Sequence, residues 1–307
     1  MTVLTVATRG GALAIAQTRI IIDKLKKIHP EIQIKIKKIT TKGDRDKKTA
    51  LWQLKTIGFF TSQVEDALLA GEADFAVHSF KDLPTQQREG LSIAAVCDRQ
   101  FAEDCVLSTE PVSSIEQLKA SARVGTSSLR RAVQLKRLRP DIEPIPIRGN
   151  VTTRIRLMEE GKFDAIILAR AGVERLDLAD KISFCFDPRD FIPAPAQGAL
   201  AVQTRADDIA TNRLIAAIDD KKARAVTFAE RQILVTMRCG CHAPAGAFAE
   251  IDQNNIKICA FVSDCEGKDF IRREITSPAE QAKESAEKLA KELLEAGGRE
   301  ILEKLEK

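Results

Sequence analysis

A cysteine-containing turn holds the residue type best suited to covalent chemistry in this chain. Its sequence is Arg238-Cys239-Gly240-Cys241-His242-Ala243-Pro244, in which a glycine and a nearby proline predict an accessible turn for Cys241. Arg238 and His242 would favour the thiolate, which is the nucleophilic form of cysteine. Two other interpretations stay open. One is a buried structural thiol; the other is a metal site formed by Cys239, Cys241 and His242, whose spacing is tighter than that of usual zinc ligands.

A lysine and an aspartate form a second candidate site. Lys81 and Asp82 follow a predicted strand, residues 74–78, and precede Pro84. Ligands usually bind at the carboxyl ends of strands in an open α/β sheet. The two residues are therefore either an ordinary surface ion pair or a site charge and its acid–base partner.

Arginines recur where predicted strands and helices end or begin. Arg130 and Arg131 lie in the first turn of a predicted helix, where positive charge opposes the helix dipole, so we expect a bound anion there. Guanidinium groups bind carboxylates bidentately, and the set predicts a ligand with several carboxylates. Any one of them alone is better explained as a surface residue. The set comprises Arg9, Arg99, Arg130, Arg131, Arg148, Arg154 and Arg175.

Composition restricts the class of protein. The 307 residues predict two or three domains, and 44% hydrophobic with 30% charged residues is typical of soluble globular proteins. We expect no signal peptide and no membrane span. Seven irregularly spaced cysteines favour a reducing cytoplasm over a disulfide framework. A net charge of +4 with 5% aromatic residues favours small anionic ligands over nucleic acid.

The elements that would position these residues form a repeat. Residues 124–132 resemble residues 6–14, each a strand, a polar turn and a helix, and residues 161–169 resemble residues 71–79. We therefore predict two similar α/β lobes with a cleft lined by helix N-termini, which attract anions.

A third, α+β unit is predicted after a polar linker, residues 219–222. Its strands are residues 247–251, 256–262 and 270–275, in an antiparallel sheet. The sequence from Ser277 to Glu280 is typical of a capping box, and it predicts the start of a helix with an apolar stripe. This unit carries Cys241 on its turn.

The chain resembles the porphobilinogen deaminase family, also called the hydroxymethylbilane synthases, over essentially its whole length. Several separated motifs carry the resemblance in one order. They are His78-Ser79-Phe80-Lys81-Asp82-Leu83-Pro84, residues 124–131, Arg148-Gly149-Asn150-Val151, Asp164-Ala165-Ile166-Ile167-Leu168-Ala169, Pro195-Ala196-Gln197-Gly198-Ala199, and Glu230-Arg231 leading to Gly240-Cys241.

The resemblance implies an enzyme of the transferase class. It would condense four porphobilinogen molecules head to tail, releasing ammonia each time, and then free the linear tetrapyrrole by hydrolysis for haem synthesis. The chain would grow on a dipyrromethane cofactor, held through a thioether by the cysteine that matches Cys241. The implied chemistry requires no metal, and the family expectation is a monomer. Composition and cysteine spacing add the expectations of a cytoplasmic protein with neither nucleic acid nor membrane as a partner.

The resemblance also implies roles for individual residues. Asp82 matches the catalytic aspartate; a carboxylate there can stabilise the cation left by ammonia loss and handle its proton. Residues that match the family's holders of acetate and propionate groups are Arg9, Lys81, Arg130, Arg131, Arg148, Arg154 and Arg175. The wider predicted ligand-binding set adds Thr126, Ser127, Ser128, Gly149, Asn150, Gln197 and Gly198. Candidate lid or stacking residues are Lys55, Phe60 and Gln17.

The implied architecture is α/β, with two similar solute-binding-protein-like lobes with mixed sheets plus a third α+β domain with a three-stranded antiparallel sheet and helices. We predict domain 1 at residues 1–98 and 198–218, domain 2 at 103–193 and domain 3 at 220–307. Three features depart from the family pattern: Gly11 in place of a serine, a short loop around Lys55, and Cys239 in place of a glycine. The alternative function is a non-catalytic two-lobed binding protein for polycarboxylate ligands.

Overall fold

A computed structural model describes residues 2–41, 61–240 and 243–306 of the chain. These residues form two compact units. The first contains residues 2–41, 61–100 and 198–224, and the second contains residues 101–197, 225–240 and 243–306.

The first unit is built around a five-stranded mixed sheet in the order β2-β1-β3-β10-β4. Strands β1, β2 and β3 are mutually parallel, whereas β10 is antiparallel to its neighbours β3 and β4. Its elements, with labels in chain order, are β1 (Val3–Arg9), α1 (Ala12–Ile28), β2 (Gln33–Ile39), α2 (Ser62–Leu69), β3 (Phe75–Ser79), β4 (Leu91–Cys97), β10 (Leu200–Arg205) and α6 (Ile209–Ala216).

The helix after β1 matches the sequence, in which apolar residues recur at helical spacing from residue 13 to residue 25, ahead of Pro30. Ile21 and Leu25 are buried on one face of α1, and the helix ends at His29, directly before Pro30. Since a residue before proline is disfavoured in the helical conformation, the sequence itself ends the helix.

The second unit contains a sheet with the corresponding arrangement, in the order β7-β6-β8-β5-β9. Strands β6, β7 and β8 are parallel, and β5 is antiparallel to both β8 and β9. The elements are β5 (Asp104–Ser108), β6 (Arg123–Gly125), α3 (Leu129–Leu138), β7 (Glu143–Ile145), α4 (Val151–Glu159), β8 (Ala165–Ala169), α5 (Arg170–Glu174) and β9 (Phe184–Cys185).

Matching hydrogen bonds confirm the repeat predicted from the sequence. The backbone N–H of Thr5 in β1 donates to Oδ2 of Asp74 at 2.6 Å, and the N–H of Asp74 donates to the carbonyl of Thr5 at 2.8 Å. Arg123 in β6 and Asp164 exchange the same two bonds, at 2.7 and 2.9 Å. The two sheets therefore have corresponding strand orders. In each sheet an equivalent aspartate aligns two adjacent parallel strands: Asp74 aligns β1 with β3, and Asp164 aligns β6 with β8.

The second unit also contains a three-stranded antiparallel sheet in the order β11-β12-β13. This part of the chain comprises α7 (Lys221–Met237, whose first four residues belong to the first unit), β11 (Ala245–Asp252), β12 (Asn255–Ser263), β13 (Phe270–Pro278), α8 (Ala282–Leu293) and α9 (Arg299–Glu306). The predicted apolar stripe of α8 is confirmed: Ala282, Ala286, Leu289 and Leu293 are buried in the core beneath this sheet. The α/β class with an added antiparallel sheet is thus as expected.

Two local predictions are wrong. The capping box at Ser277 does not form, because β13 continues through Pro278 and α8 begins only at Ala282; Ser277 Oγ instead accepts a hydrogen bond from Ser285 Oγ at 2.7 Å. Residues 219–222 are not simply a polar linker. Helix α7 begins at Lys221, and Asp219 accepts a hydrogen bond from the backbone N–H of Val96 at 2.7 Å.

Candidate active site

In the first unit, predicted site residues lie at the carboxyl ends of two adjacent parallel strands. Arg9 is the last residue of β1 and Ser79 the last of β3. A single 3₁₀ turn, Phe80–Asp82, follows Ser79. Phe80 is fully buried and its N–H donates to the carbonyl of Ala199 at 3.0 Å, so the turn is fixed while Asp82 remains exposed at its end.

The side chain of Gln17 supports this strand end from α1. Gln17 is buried, and its Nε2 donates to Oγ of Ser79 at 2.8 Å. Lys81, beside Asp82, is partly exposed. The structure thus brings Gln17 to the base of the turn that carries Lys81 and Asp82.

A buried histidine precedes this turn. Burial lowers the pKa of His78 from 6.5 to about 4; the side chain of Gln203 opposes this shift and the charge of Arg9 adds to it. Gln203 in turn donates to the buried carboxyl of Glu65 at 3.0 Å. His78 is therefore neutral at pH 7 and contributes no charge next to Arg9.

In the second unit, the turns after β6 and β7 are joined by hydrogen bonds. The N–H of Thr126 donates to the carbonyl of Ile145 at 2.9 Å, and Ser127 Oγ bonds to both the N–H and the carbonyl of Ile147. Ser128 then precedes α3 as its N-cap residue. The predicted residues Thr126, Ser127 and Ser128 thus lie beside the segment that leads to Arg148.

The turn after β7 depends on a glycine. Gly149 has φ +105°, and a Cβ atom there would lie 2.6 Å from Cγ2 of Thr153. Asn150 caps α4, since its Oδ1 accepts from the N–H of Thr153 at 2.8 Å. Arg154 Nε donates to the carbonyl of Gly149 at 2.9 Å, and Arg148 is partly exposed. Arg148 and Arg154 are therefore held by one short turn.

The arginine pair at the start of α3 is buried against an aspartate. Arg130 Nη1 lies 2.8 Å from Asp104 Oδ2, and Arg131 donates to Asp104 Oδ1 from Nη2 at 2.7 Å and from Nε at 3.1 Å. Arg130 also donates to the carbonyl of Ile192, and Arg131 to that of Ile167. The arginines were predicted from their position at the helix N-terminus, but the carboxylate that holds them, Asp104, was not.

Charge in this cluster is not balanced by its own residues. Burial would raise the pKa of Asp104, but the charges and hydrogen bonds of Arg130 and Arg131 outweigh burial and hold the pKa well below its usual value. Burial and Arg131 lower the pKa of Arg130, which Asp104 opposes. Two guanidinium groups against one carboxylate leave one net positive charge. Because an uncompensated buried charge is costly, this donor set fits a ligand that brings an acid group.

Gln197 completes the shell around Asp104. Its Nε2 donates to Asp104 Oδ1 at 2.9 Å and to the carbonyl of Ala102 at 2.8 Å. Gly198, the next residue, has φ +89° and belongs to the first unit. Arg175 is the C-cap residue of α5, the helix that follows β8.

A second buried carboxylate was not assigned a role from the sequence. Glu230 on α7 accepts the N–H of Ala196 and that of Ala249, each at 2.7 Å. Glu230 lies on the same buried face of α7 as Val226 and Ile233. A charged residue at a position where the helical spacing calls for an apolar one could therefore have indicated this site from the sequence. Glu230 fixes the segment just before Gln197.

Four predicted residues, Lys55, Phe60, Cys241 and His242, lie outside the described residues. Cys239 is partly buried and packs against the core of the third sheet. Within the described ranges, no three His, Cys, Asp or Glu side chains are grouped as a metal site would require. In the same part of the chain, no helix has the length and apolar character to cross a membrane.

The fold and these turns define an α/β protein with two corresponding mixed sheets, an added antiparallel sheet, and arginines near the strand ends. The chain belongs to the porphobilinogen deaminase family. Residues 4–213 match the family model described as "Porphobilinogen deaminase, dipyromethane cofactor binding domain", and residues 224–295 match "Porphobilinogen deaminase, C-terminal domain".

Individual relatives extend over the whole chain. Porphobilinogen deaminase of Carboxydothermus hydrogenoformans is 42% identical over 300 residues, which cover 98% of this chain and 96% of the relative. That of Thermus thermophilus is 41% identical over 303 residues, covering 98% and 99%. Among solved structures, the methionine-binding protein MetQ has a TM-score of 0.45 and 11% identity, covering 70% of this chain and 89% of MetQ.

Proposed function

We propose that this chain is a hydroxymethylbilane synthase, a transferase that joins four porphobilinogen molecules head to tail and releases one ammonia for each. Family membership over both matched regions supports the reaction. The main structural support for the proposal is a pair of buried guanidinium groups, those of Arg130 and Arg131, which both contact the single carboxylate of Asp104. Such a site needs an anionic ligand, and each porphobilinogen unit brings two carboxylates.

The ligand's acid groups are bound by residues at the carboxyl ends of parallel strands. In the second unit these are Arg130, Arg131, Arg148, Arg154 and Arg175, with the turn residues Thr126, Ser127, Ser128, Gly149 and Asn150. In the first unit they are Arg9 and Lys81. Guanidinium forks suit this task because they bind carboxylates in a bidentate geometry. The shell formed by Asp104 and Gln197 orients the arginine pair before a ligand arrives.

Asp82 handles the protons. Its exposure at the end of a turn anchored by buried Phe80 gives its carboxyl group access to a substrate while the backbone stays fixed. An ionised carboxylate next to a developing positive charge stabilises that charge, and it can then accept the proton that the new carbon–carbon bond displaces. Lys81 beside it supplies a positive charge for an acid group.

The family model implies a resident dipyrromethane, and the donor set described above fits an acidic group of this kind. Cys241 would hold it through a thioether, and Arg130, Arg131 and Arg148 would bind its acid groups. When bound, dipyrromethane supplies the pyrrole carbon to which the first substrate is joined.

Three further assignments belong to this proposal. The second unit divides into domain 2, residues 103–193, and domain 3, residues 220–307, while domain 1 comprises residues 1–98 and 198–218; the separate sheets and cores support this division. The enzyme acts in the cytoplasm as a monomer in haem and tetrapyrrole biosynthesis. Its partner is its small-molecule substrate, with no nucleic acid or membrane partner.

Incubation of the purified chain with porphobilinogen tests the proposal. Release of ammonia together with a linear tetrapyrrole, one ammonia for each porphobilinogen consumed, is the expected result. A chain that binds porphobilinogen without releasing ammonia would instead be the non-catalytic polycarboxylate-binding protein, and the proposal would be wrong.

A further inference from the structure

Two cysteines lie directly opposite each other on adjacent strands. Cys105 of β5 and Cys185 of β9 are register partners in an antiparallel pair. The preceding partners, Asp104 and Phe186, are joined by a hydrogen bond from the Phe186 N–H to the Asp104 carbonyl at 3.0 Å. Since hydrogen-bonded and non-hydrogen-bonded pairs alternate, the cysteines occupy a non-hydrogen-bonded pair.

That position suits a disulfide. Residues of a non-hydrogen-bonded pair have Cα atoms about 4.5 Å apart and side chains on the same face of the sheet. A disulfide tolerates Cα separations of roughly 4.4 to 6.8 Å. The backbone of β5 and β9 therefore needs little movement for a bond between the two sulfur atoms.

The two thiols differ in access. Cys105 is completely buried among apolar residues such as Leu107 and Ile166, whereas Cys185 is exposed. Burial raises the pKa of Cys105, and the proximity of Cys185 raises it further, so the two side chains are within electrostatic reach. Burial raises the pKa of Cys185 as well, and the guanidinium of Arg170 beside it only partly offsets that rise, so exposure and not acidity makes Cys185 the thiol that reacts first.

We propose that Cys105 and Cys185 form a thiol–disulfide exchange site that reacts with low-molecular-weight disulfides such as oxidised glutathione. The Cys185 thiolate attacks one sulfur of the small disulfide, forming a mixed disulfide and releasing one small thiolate, which takes up the proton lost by Cys185. Sγ of Cys105 then attacks Sγ of Cys185, the bond from Cys185 to the small molecule breaks, and the second small thiolate leaves with the proton that Cys105 gives up. Two protein thiols are thereby oxidised to one disulfide, and one small disulfide is reduced to two thiols.

The product joins β9 to β5 one residue away from Asp104, which anchors Arg130 and Arg131. The exchange site is independent of the proposed enzyme activity, because it requires only the strand register and the exposure of one sulfur. The exposure of the two thiols sets the sequence of the steps: the exposed Cys185 reacts with the small disulfide first, and the buried Cys105 then resolves the adduct.

Peptide mapping after treatment of the full-length protein with oxidised glutathione tests the site. We expect a cross-linked peptide containing Cys105 and Cys185, which dithiothreitol reverses. The Cys105→Ala variant should instead accumulate a glutathione adduct on Cys185, and Cys185→Ser should leave Cys105 reduced.

The matched control is Cys265→Ser, since Cys265 is also exposed but lies in the turn between β12 and β13, outside the strand register. This variant should form the Cys105–Cys185 cross-link as the unmodified sequence does. A lasting glutathione adduct on Cys185 in the unmodified sequence, with no cross-link to Cys105, would overturn the proposal. That readout needs no variant that removes a buried residue.

Discussion

Oδ1 of Asp104 lies 2.7 Å from Nη2 of Arg131, with both side chains almost completely buried. Asp104 begins β5 and Arg131 belongs to the first turn of α3, so the contact ties the sheet of the second unit to the helix that carries the arginine pair. Arg130 and Gln197 bond to the same carboxylate. One aspartate therefore orients the residues on which the proposed binding of acid groups depends.

Replacement of that aspartate should affect both stability and binding. Asp104→Asn leaves two buried guanidinium groups without a full counter-charge, and removing one partner of a buried ion pair costs about 3–5 kcal/mol. We expect a loss of that order in the free energy of unfolding, measured with urea, and a chain without attached dipyrromethane by intact mass.

The exposed pair of Arg156 and Glu160 on α4 provides the control for Asp104. Glu160→Gln should cost less than about 1 kcal/mol, because exposed ion pairs contribute little. The low pKa of Asp104 means that its contribution to stability is present at neutral pH and is lost only as the pH falls below about 4, the unperturbed value. Equal losses in the two variants at pH 7 would contradict the anchoring role.

The proposed proton-handling residue should separate turnover from cofactor attachment. Asp82→Asn should lower kcat by at least about 100-fold, since charge stabilisation and proton transfer each contribute factors of that order. Its mass should still show attached dipyrromethane, because the arginines remain. Asp66→Asn, on the exposed face of α2, should keep full turnover. A decrease in kcat of less than about tenfold for Asp82→Asn would show that this carboxylate neither stabilises the positive charge nor transfers the proton.

The turn that holds Arg148 should not accept a side chain at Gly149. Gly149→Ala combines a positive φ with a Cβ contact of 2.6 Å to Thr153, whereas Gly161→Ala meets only the positive φ, with no atom within 4 Å. The second variant should lose about 1 kcal/mol of unfolding free energy and the first at least twice as much. Similar urea midpoints for the two variants would show that the turn adapts.

His78 should make stability depend on pH. Its pKa of about 4 in the folded chain lies below the value of 6.5 expected after unfolding, so between these values the unfolded chain binds more protons. The free energy of unfolding should therefore fall as the pH decreases from 6.5 to 4, by up to about 3 kcal/mol from this group. Urea unfolding across that range should show a smaller decrease in His78→Asn. His29→Asn, at the partly exposed end of α1, should retain the full decrease; loss of the pH dependence in that variant alone would contradict the assignment.

Local sequence patterns predicted the elements whose apolar residues repeat regularly. Helix α1 contains apolar residues at helical spacing and ends just before Pro30, and β8 coincides with an uninterrupted apolar run, residues 165–169. The repeat of the two sheets was also visible, because Asp74 and Asp164 precede corresponding strands in similar sequences. The start of α8 was misjudged because pairing of β13 with β12 through Pro278 outweighs the local preference of a capping box.

Only part of the candidate site could be predicted from the sequence. Arginines at strand ends were visible because their positions are local, and the resemblance to a family added Asp82 and Cys241. Asp104 and Glu230 were missed because their partners are distant in sequence: Asp104 lies 27 residues from Arg131, and Glu230 lies 34 from Ala196. Only tertiary packing brings such carboxylates to their donors.

The intact mass of the purified chain shows whether Cys241 carries a covalently attached dipyrromethane. We predict a mass greater than that of the polypeptide by two pyrrole units, lost in Cys241→Ser and retained in Cys239→Ser. A fully active chain with the mass of the bare polypeptide, or an unchanged excess in Cys241→Ser, would contradict it.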